Sequence, residues 1–165
     1  MPDVSTEVAI ATTTLGSASA TITFSSIPAT YTDLRIVQVL TGTTNAYSKL
    51  RFNGDTASNY SSTNIRADGS SASSQWETND NGIRINGNYP VTSVPSLNTV
   101  DVFSYAGSTN KTVLNRALND QNGAGGLVTT VGLWRNTAAI TSITIYEFTG
   151  DTFAAGTTAT LYGIL

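Results

Sequence analysis

The chain predicts an all-β fold, a single antiparallel β-sandwich of jelly-roll type. Three observations carry this expectation. Apolar and polar residues alternate with a period of two through many short runs. Turn signals built on Gly, Asn, Asp and Pro punctuate those runs about every 8–12 residues, the rhythm of a sandwich or jelly roll. No segment keeps a helical apolar period over three turns, so an α/β enzyme fold is not expected. At 165 residues one domain should span 1–165 and bury a sizeable core, with 1–15 as an extended arm or edge strand.

The elements follow in order. Val4 to Leu15 is Thr-rich with isolated apolar residues and reads as a first strand. Ala20–Ser25 sets Ile22 and Phe24 against Thr21 and Thr23, a half-buried strand closed by Ile27-Pro28. Tyr31–Thr41 places Leu34 and Ile36 on one face and Arg35, Val37 and Val39 on the other. A turn at Gly42-Thr43-Thr44-Asn45 precedes Tyr47–Asn53, where Leu50 and Phe52 point inward and Tyr47, Lys49 and Arg51 outward. After Asn53-Gly54-Asp55, a strand at Asn59–Ala67 carries Tyr60 and Ile65.

The polar stretch from Asp68 to Asn81 reads as a surface loop, with at most a short edge strand at Gln75–Glu77. Asn81-Gly82 and Asn86-Gly87 bracket Ile83–Ile85, and Asn-Gly pairs favour tight hairpin turns. Tyr89 to Pro95 connects to strands at Asn98–Ala106 and Lys111–Leu118, and the tip Asp120–Gly126 comes next. Three closing strands are expected at Leu127–Arg135, Ile140–Phe148 and Thr158–Ile164. The Ile140–Phe148 run is apolar on both faces, which suits a central strand or a subunit contact. The expected core is Ile22, Phe24, Leu34, Ile36, Leu50, Phe52, Val100, Val102, Ile143 and Ile145.

Composition narrows function. Charged residues make up 12% of the chain, against roughly 25% in an ordinary soluble domain. Ser, Thr and Asn fill roughly a third of it, and Lys49 and Lys111 are the only lysines. A net charge of −3 argues against nucleic acid as a partner. There is no cysteine and no histidine. That removes disulfides, thiolate nucleophiles, the commonest general base and the commonest metal ligand together, and no cofactor is expected. No stretch approaches the roughly 20 apolar residues of a membrane-spanning helix, and the N-terminus lacks a basic leader. The expectation is a soluble protein made in a cytoplasm, without a membrane partner.

No catalytic constellation stands out. Asp33, Asp101 and Glu147 are the acids on or beside strands, and nothing pairs them as glycoside hydrolysis requires. Asn53-Gly54-Asp55 and Asp80-Asn81-Gly82 offer oxygens to calcium, but without the spacing of a full calcium loop they read as turns. Trp134 lies in the apolar run Val131-Gly132-Leu133-Trp134 and reads as core. Trp76 stands among Gln75, Glu77 and Asn79. The simpler reading is a ring folded back to pin its loop; exposed, it would stack on a sugar or anchor an interface. Trp76, Tyr146 and Phe148 are therefore the candidate contact residues.

Several stretches resemble small bacteriophage virion structural proteins. They are Phe24 to Leu34, Leu50 to Asp55, Leu133-Trp134-Arg135, Ile140 to Tyr146, Ala154 to Thr157 and Leu161 to Ile164. The resemblance implies a β-sandwich without catalytic residues, often a homotrimer, on the capsid exterior or in the tail. Its partners would be the major capsid protein and further copies of itself. The function expected is that of a capsid decoration or cement protein; the alternative is a tail-fibre or receptor-binding module that recognises a surface glycan. A sandwich-fold glycan hydrolase is the third reading.

One outcome can be expected from composition alone. Without Cys or His, folding should not depend on a bound transition metal, so a zinc-selective chelator leaves the melting temperature unchanged. A sharp drop would refute this.

Overall fold

The computed structural model describes residues 6–41, 47–86, 94–120, 122–123 and 125–165. Twelve strands and no helix occur among them: β1 Glu7–Thr14, β2 Thr21–Phe24, β3 Asp33–Leu40, β4 Ser48–Phe52, β5 Tyr60–Ala67 and β6 Ala72–Asp80, then β7 Ile83–Arg84, β8 Ser96–Phe103, β9 Lys111–Asn119, β10 Gly126–Trp134, β11 Ile143–Glu147 and β12 Thr158–Ile164. They form an eight-stranded sheet, β1-β12-β3-β8-β9-β10-β5-β6, and a four-stranded sheet, β2-β11-β4-β7. Every pairing is antiparallel.

The strand order explains the unequal sheets. Setting aside β5, β6, β9 and β10, the chain crosses from one sheet to the other at every step except β4 to β7, which pair within the small sheet. This leaves β1-β12-β3-β8 against β2-β11-β4-β7, the interleaving of a jelly roll. The hairpins β5–β6 and β9–β10 are insertions into that scheme, and both extend the same sheet. All-β alternation is legible in the sequence; the doubling of one sheet is not.

The core sits between the sheets. All ten residues expected there are buried, none exposing more than 3% of its surface. Trp134 joins them, with Tyr60, Ile83, Tyr105, Val113, Phe153 and Leu161. Close approach is set by glycine at Gly132 on β10. A β-carbon there would meet Ile83 Cδ1 at 2.9 Å and the Ile83 Cγ2 methyl closer still. Gly132 thus seats the short strand β7 against the large sheet.

Four expectations need correction. Asp68–Asn81 is no loop: β6 occupies Ala72–Asp80 as the edge strand beside β5. Its hairpin turns on Asp68-Gly69, where the Asp68 carboxylate accepts N–H bonds from Ser70 (2.9 Å) and Ser71 (2.8 Å) and Gly69 has φ +87°. Asn81-Gly82 makes no hairpin, since β7 leaves β6 to pair with β4 in the other sheet. Neither Asn81 nor Gly82 has positive φ; Gly82 is instead overlaid by the Tyr146 hydroxyl. Lys49 points outward as expected, yet is only 7% exposed, because acids from β6 reach over to it. The third closing strand has its expected bounds, while Ile140–Phe148 shortens to β11. Residues 7–14 of the N-terminal segment form an edge strand on β12 rather than a free arm. Val4, the turn at 42–45, and Gly87 with most of the connection to Pro95 lie outside the described residues.

Gly132→Ala should therefore destabilise the fold by about 1–3 kcal/mol through overpacking. Adding Ile83→Val, which removes Cδ1 but keeps the closer Cγ2, should recover little of the loss in a denaturant melt. Equal stability of G132A and the parent would show that the β7 contact has slack.

Candidate functional site

Alternation gives each sheet one face toward the core and one toward solvent. On the large sheet, the outward residues line up in registered rows. One row reads Trp76, Thr63, Val131, Leu114, Asp101 and Arg35 across β6, β5, β10, β9, β8 and β3. The next reads Ser74, Ile65, Thr129, Arg116, Thr99 and Val37. The third reads Ala72, Ala67, Leu127, Leu118, Leu97 and Val39. Much of this apolar surface is open: Trp76 is 73% exposed, Ile65 63%, Val131 54%, Leu127 49% and Leu118 47%.

Within these three rows, charge is confined to one chain of ion pairs. Arg35 donates to Asp101 at 2.6 Å and pairs with Glu7, and Arg116 reaches the other Asp101 oxygen at 3.2 Å. The hydrogen bond to Asp101 raises the Arg35 pKa further, so the guanidinium stays charged. Two acids and two bases cancel, and the ion-pair chain carries no net charge.

The outer face of the four-stranded sheet is built differently. Tyr146 lies under the Arg51 guanidinium, 4.2 Å from ring centroid to Cζ, and its hydroxyl donates to Asn81 Oδ1 at 2.8 Å. Phe148 meets the Tyr47 ring edge-on at 6.1 Å, with Lys49 Nζ at 4.7 Å and Arg84 Cζ at 5.2 Å from its centroid. Glu77 then clamps Arg84 at 2.7 Å and Lys49 at 3.5 Å, while Asp80 takes Lys49 directly. Burial raises the Tyr146 pKa, which keeps the phenol neutral.

The three candidate residues thus separate. Tyr146 and Phe148 hold cations of their own chain, and Trp76 stands clear on the far sheet at the open edge of β6. It does not fold back. Shallow grooves of about 370 Å³ and 320 Å³ flank it, the first reaching Thr63, Val131 and Leu133, the second Gln75, Glu77 and Arg84. Four other open side chains of this face, Ile65, Leu118, Leu127 and Val131, are not singled out by sequence reasoning. Their signal is present all the same, since Leu127-Val128 and Leu133-Trp134 place apolar residues on both faces of one strand.

The acids considered for catalysis have structural work. Asp33 accepts the Ser104 N–H at 2.7 Å, and Asp101 sits between two arginines. Glu147 accepts the N–H groups of Thr149, Gly150 and Asp151, each at 2.8 Å. Asp55 takes Trp134 Nε1–H (2.8 Å), Asn59 Nδ2–H (2.9 Å) and the Ala57 N–H (2.9 Å). Among the described residues no cluster of three acids could hold a metal ion. The chain matches no known family model, no curated protein and no solved structure.

Proton linkage gives a pH profile. Burial pushes Asp55 up, but its hydrogen bonds from Asn59, Trp134 and Ala57 outweigh that and hold it below 3.8. Burial is likewise outweighed at Asp80 by Lys49 and at Glu147 by the Thr149 hydroxyl and the turn N–H groups, the latter held below 4.5. Lowered folded-state values mean stability that is complete above the unfolded values and lost as pH falls through the folded ones. With no histidine, the melting temperature should be flat from about pH 5.5 to 8 and fall below about pH 4. Asp55→Ala, which strands the Trp134 donor, should cost roughly 2 kcal/mol and about 4–8 °C at neutral pH.

Proposed function

We propose that this chain is a non-enzymatic structural protein of a bacteriophage virion, a capsid decoration or cement protein that stabilises the outer shell. One observation carries the reading: a broad sheet face with self-cancelling charges and large apolar side chains left open. Monomers seldom expose apolar patches beyond a few hundred Å², and larger ones mark interaction surfaces. The Thr- and Ser-rich surroundings suit packing against protein neighbours in a repeated assembly. The virion-protein resemblance supplies the kind of assembly. Such a protein works by mass action: at a hundred times its dissociation constant it stabilises each occupied site by about 2.7 kcal/mol.

Trp76 supports a second reading, a tail-fibre or receptor-binding glycan module. Its open ring, with Gln75, Glu77 and Arg84 beside it, has the amphipathic character of a sugar platform.

Shells stripped of the protein should rebind it saturably, in a fixed ratio to the shell protein, and gain heat resistance. Absence of binding would overturn the decoration reading. Specific glycan-array binding abolished by Trp76→Ala would favour the second.

A further inference from the structure

We infer that the outer face of the eight-stranded sheet is a self-association surface, and that its occupant is a second copy of this chain packed face to face across a two-fold axis. The inference rests on the structural-protein reading above and names the partner. It also shifts the subunit contact away from Tyr146 and Phe148, whose rings are already covered by Arg51, Lys49 and Arg84 of their own chain.

Area, charge and relief argue for a like copy. The six strands from β6 to β3, at ~4.8 Å spacing and ~3.3 Å per residue, give a face on the order of 750 Å². A standard stable interface buries about 800 Å² per partner. The ion-pair chain Glu7–Arg35–Asp101–Arg116 sums to zero, so these rows set no net charge against a second copy. A strongly acidic or basic partner would find no complement here.

A two-fold contact also demands that one surface fit itself. Protruding Trp76, Ile65 and Val131 stand beside small Thr63, Thr129 and Ser74 in the registered rows. Knobs and hollows therefore alternate across the face, and a second copy turned over can seat its knobs in those hollows. Stacked sheets lie ~10 Å apart with strands within about 30° of each other, a spacing that side chains of this size fill.

Sedimentation velocity over a concentration series should show a species of twice the 17.3 kDa chain mass. The exposed-site double variant Ile65→Asp/Val131→Asp should keep the β circular dichroism signal and weaken dimerisation at least ~100-fold, since it opposes buried carboxylates across the axis. Because the chain has no cysteine, nitroxide labels can be placed singly through Thr129→Cys and Thr144→Cys. In the dimer the T129C label should report an inter-copy distance below ~30 Å, given sheets ~10 Å apart, and the T144C label a longer one. A wild-type chain that stays monomeric at all concentrations overturns the inference, as does a dimer indifferent to the double variant. A monomer that still decorates shells would sink this inference alone; a dimer that ignores shells would sink only the decoration reading.

Discussion

The carboxylate of Asp55 is where the two sheets are tied together. The chain leaves the small sheet at Phe52 and enters the large one at Tyr60, and the few residues between must reverse direction without losing backbone partners. Asn53 and Gly54 manage the reversal with φ of 51° and 67°, conformations that Asn and Gly tolerate better than other residues. Asp55 then fixes the exit by accepting from Ala57, Asn59 and Trp134. The Tyr60 hydroxyl closes the crossing, accepting the Phe52 N–H at 3.1 Å and donating to the Asp55 carbonyl at 3.2 Å. Phe52, Tyr60 and Trp134 pack as one aromatic group, with Trp134 at 5.3 Å from Phe52 and 6.2 Å from Tyr60. Because Trp134 belongs to β10, this knot brings an inserted hairpin into the core and sets β5 alongside it.

That alignment also dictates the outer face. Once β5 and β10 are in register, Ile65, Val131 and Leu127 come to lie on the side away from the small sheet. Their inward neighbours include polar residues, Thr130 and Asn64 among them, both buried. Asn115 donates to the Ile85 carbonyl at 2.7 Å and Asn98 to Gln38 at 3.1 Å, so amides share the interior with the aliphatic core. The large sheet is thus unusual in both directions: polar groups inside and apolar groups outside along the same strands. A face of this kind is consistent with a protein whose outer surface is meant to be covered.

Much of this is written in the sequence, but unevenly. Period-two alternation names the core residues because each strand makes its own decision about which side chains face inward. Which sheet a strand joins is not a local property. Ile83 alternates like any strand residue, and only its fit over Gly132 and its pairing with Leu50 decide that β7 leaves β6. Asn81-Gly82 misleads because the glycine answers to a tyrosine from β11 above it rather than to a turn. Asp68-Gly69, the true hairpin, is hidden by the polarity of the strand that begins just after it, with Ser73, Ser74 and Gln75 in its first half. Trp76 is recognisable as unusual, yet its exposure depends on β6 being an edge with nothing beyond it among the described residues. The lysines are the least legible of all. Lys111 is fully buried, its ammonium given to the carbonyls of Gly107, Thr109 and Thr137, and those partners lie on two separate loops.

That last feature changes how the molecule meets reagents. Lys111 exposes none of its surface and Lys49 only 7%, and these are the only two lysines in the chain. Acylating dyes, biotin esters and aldehyde fixatives attack unprotonated, accessible ε-amines. Here one such amine is wrapped in carbonyls and the other is clamped between Asp80, Glu77 and a phenyl ring. Apart from the α-amine that begins the chain, the folded protein offers these reagents almost nothing. Lysine-directed crosslinking would miss any neighbour it had, and an assembly containing it would look, to amine chemistry, as though it were absent. Carboxylate-directed reagents, meeting exposed Asp68, Asp120 and Asp151, are the ones that would see it.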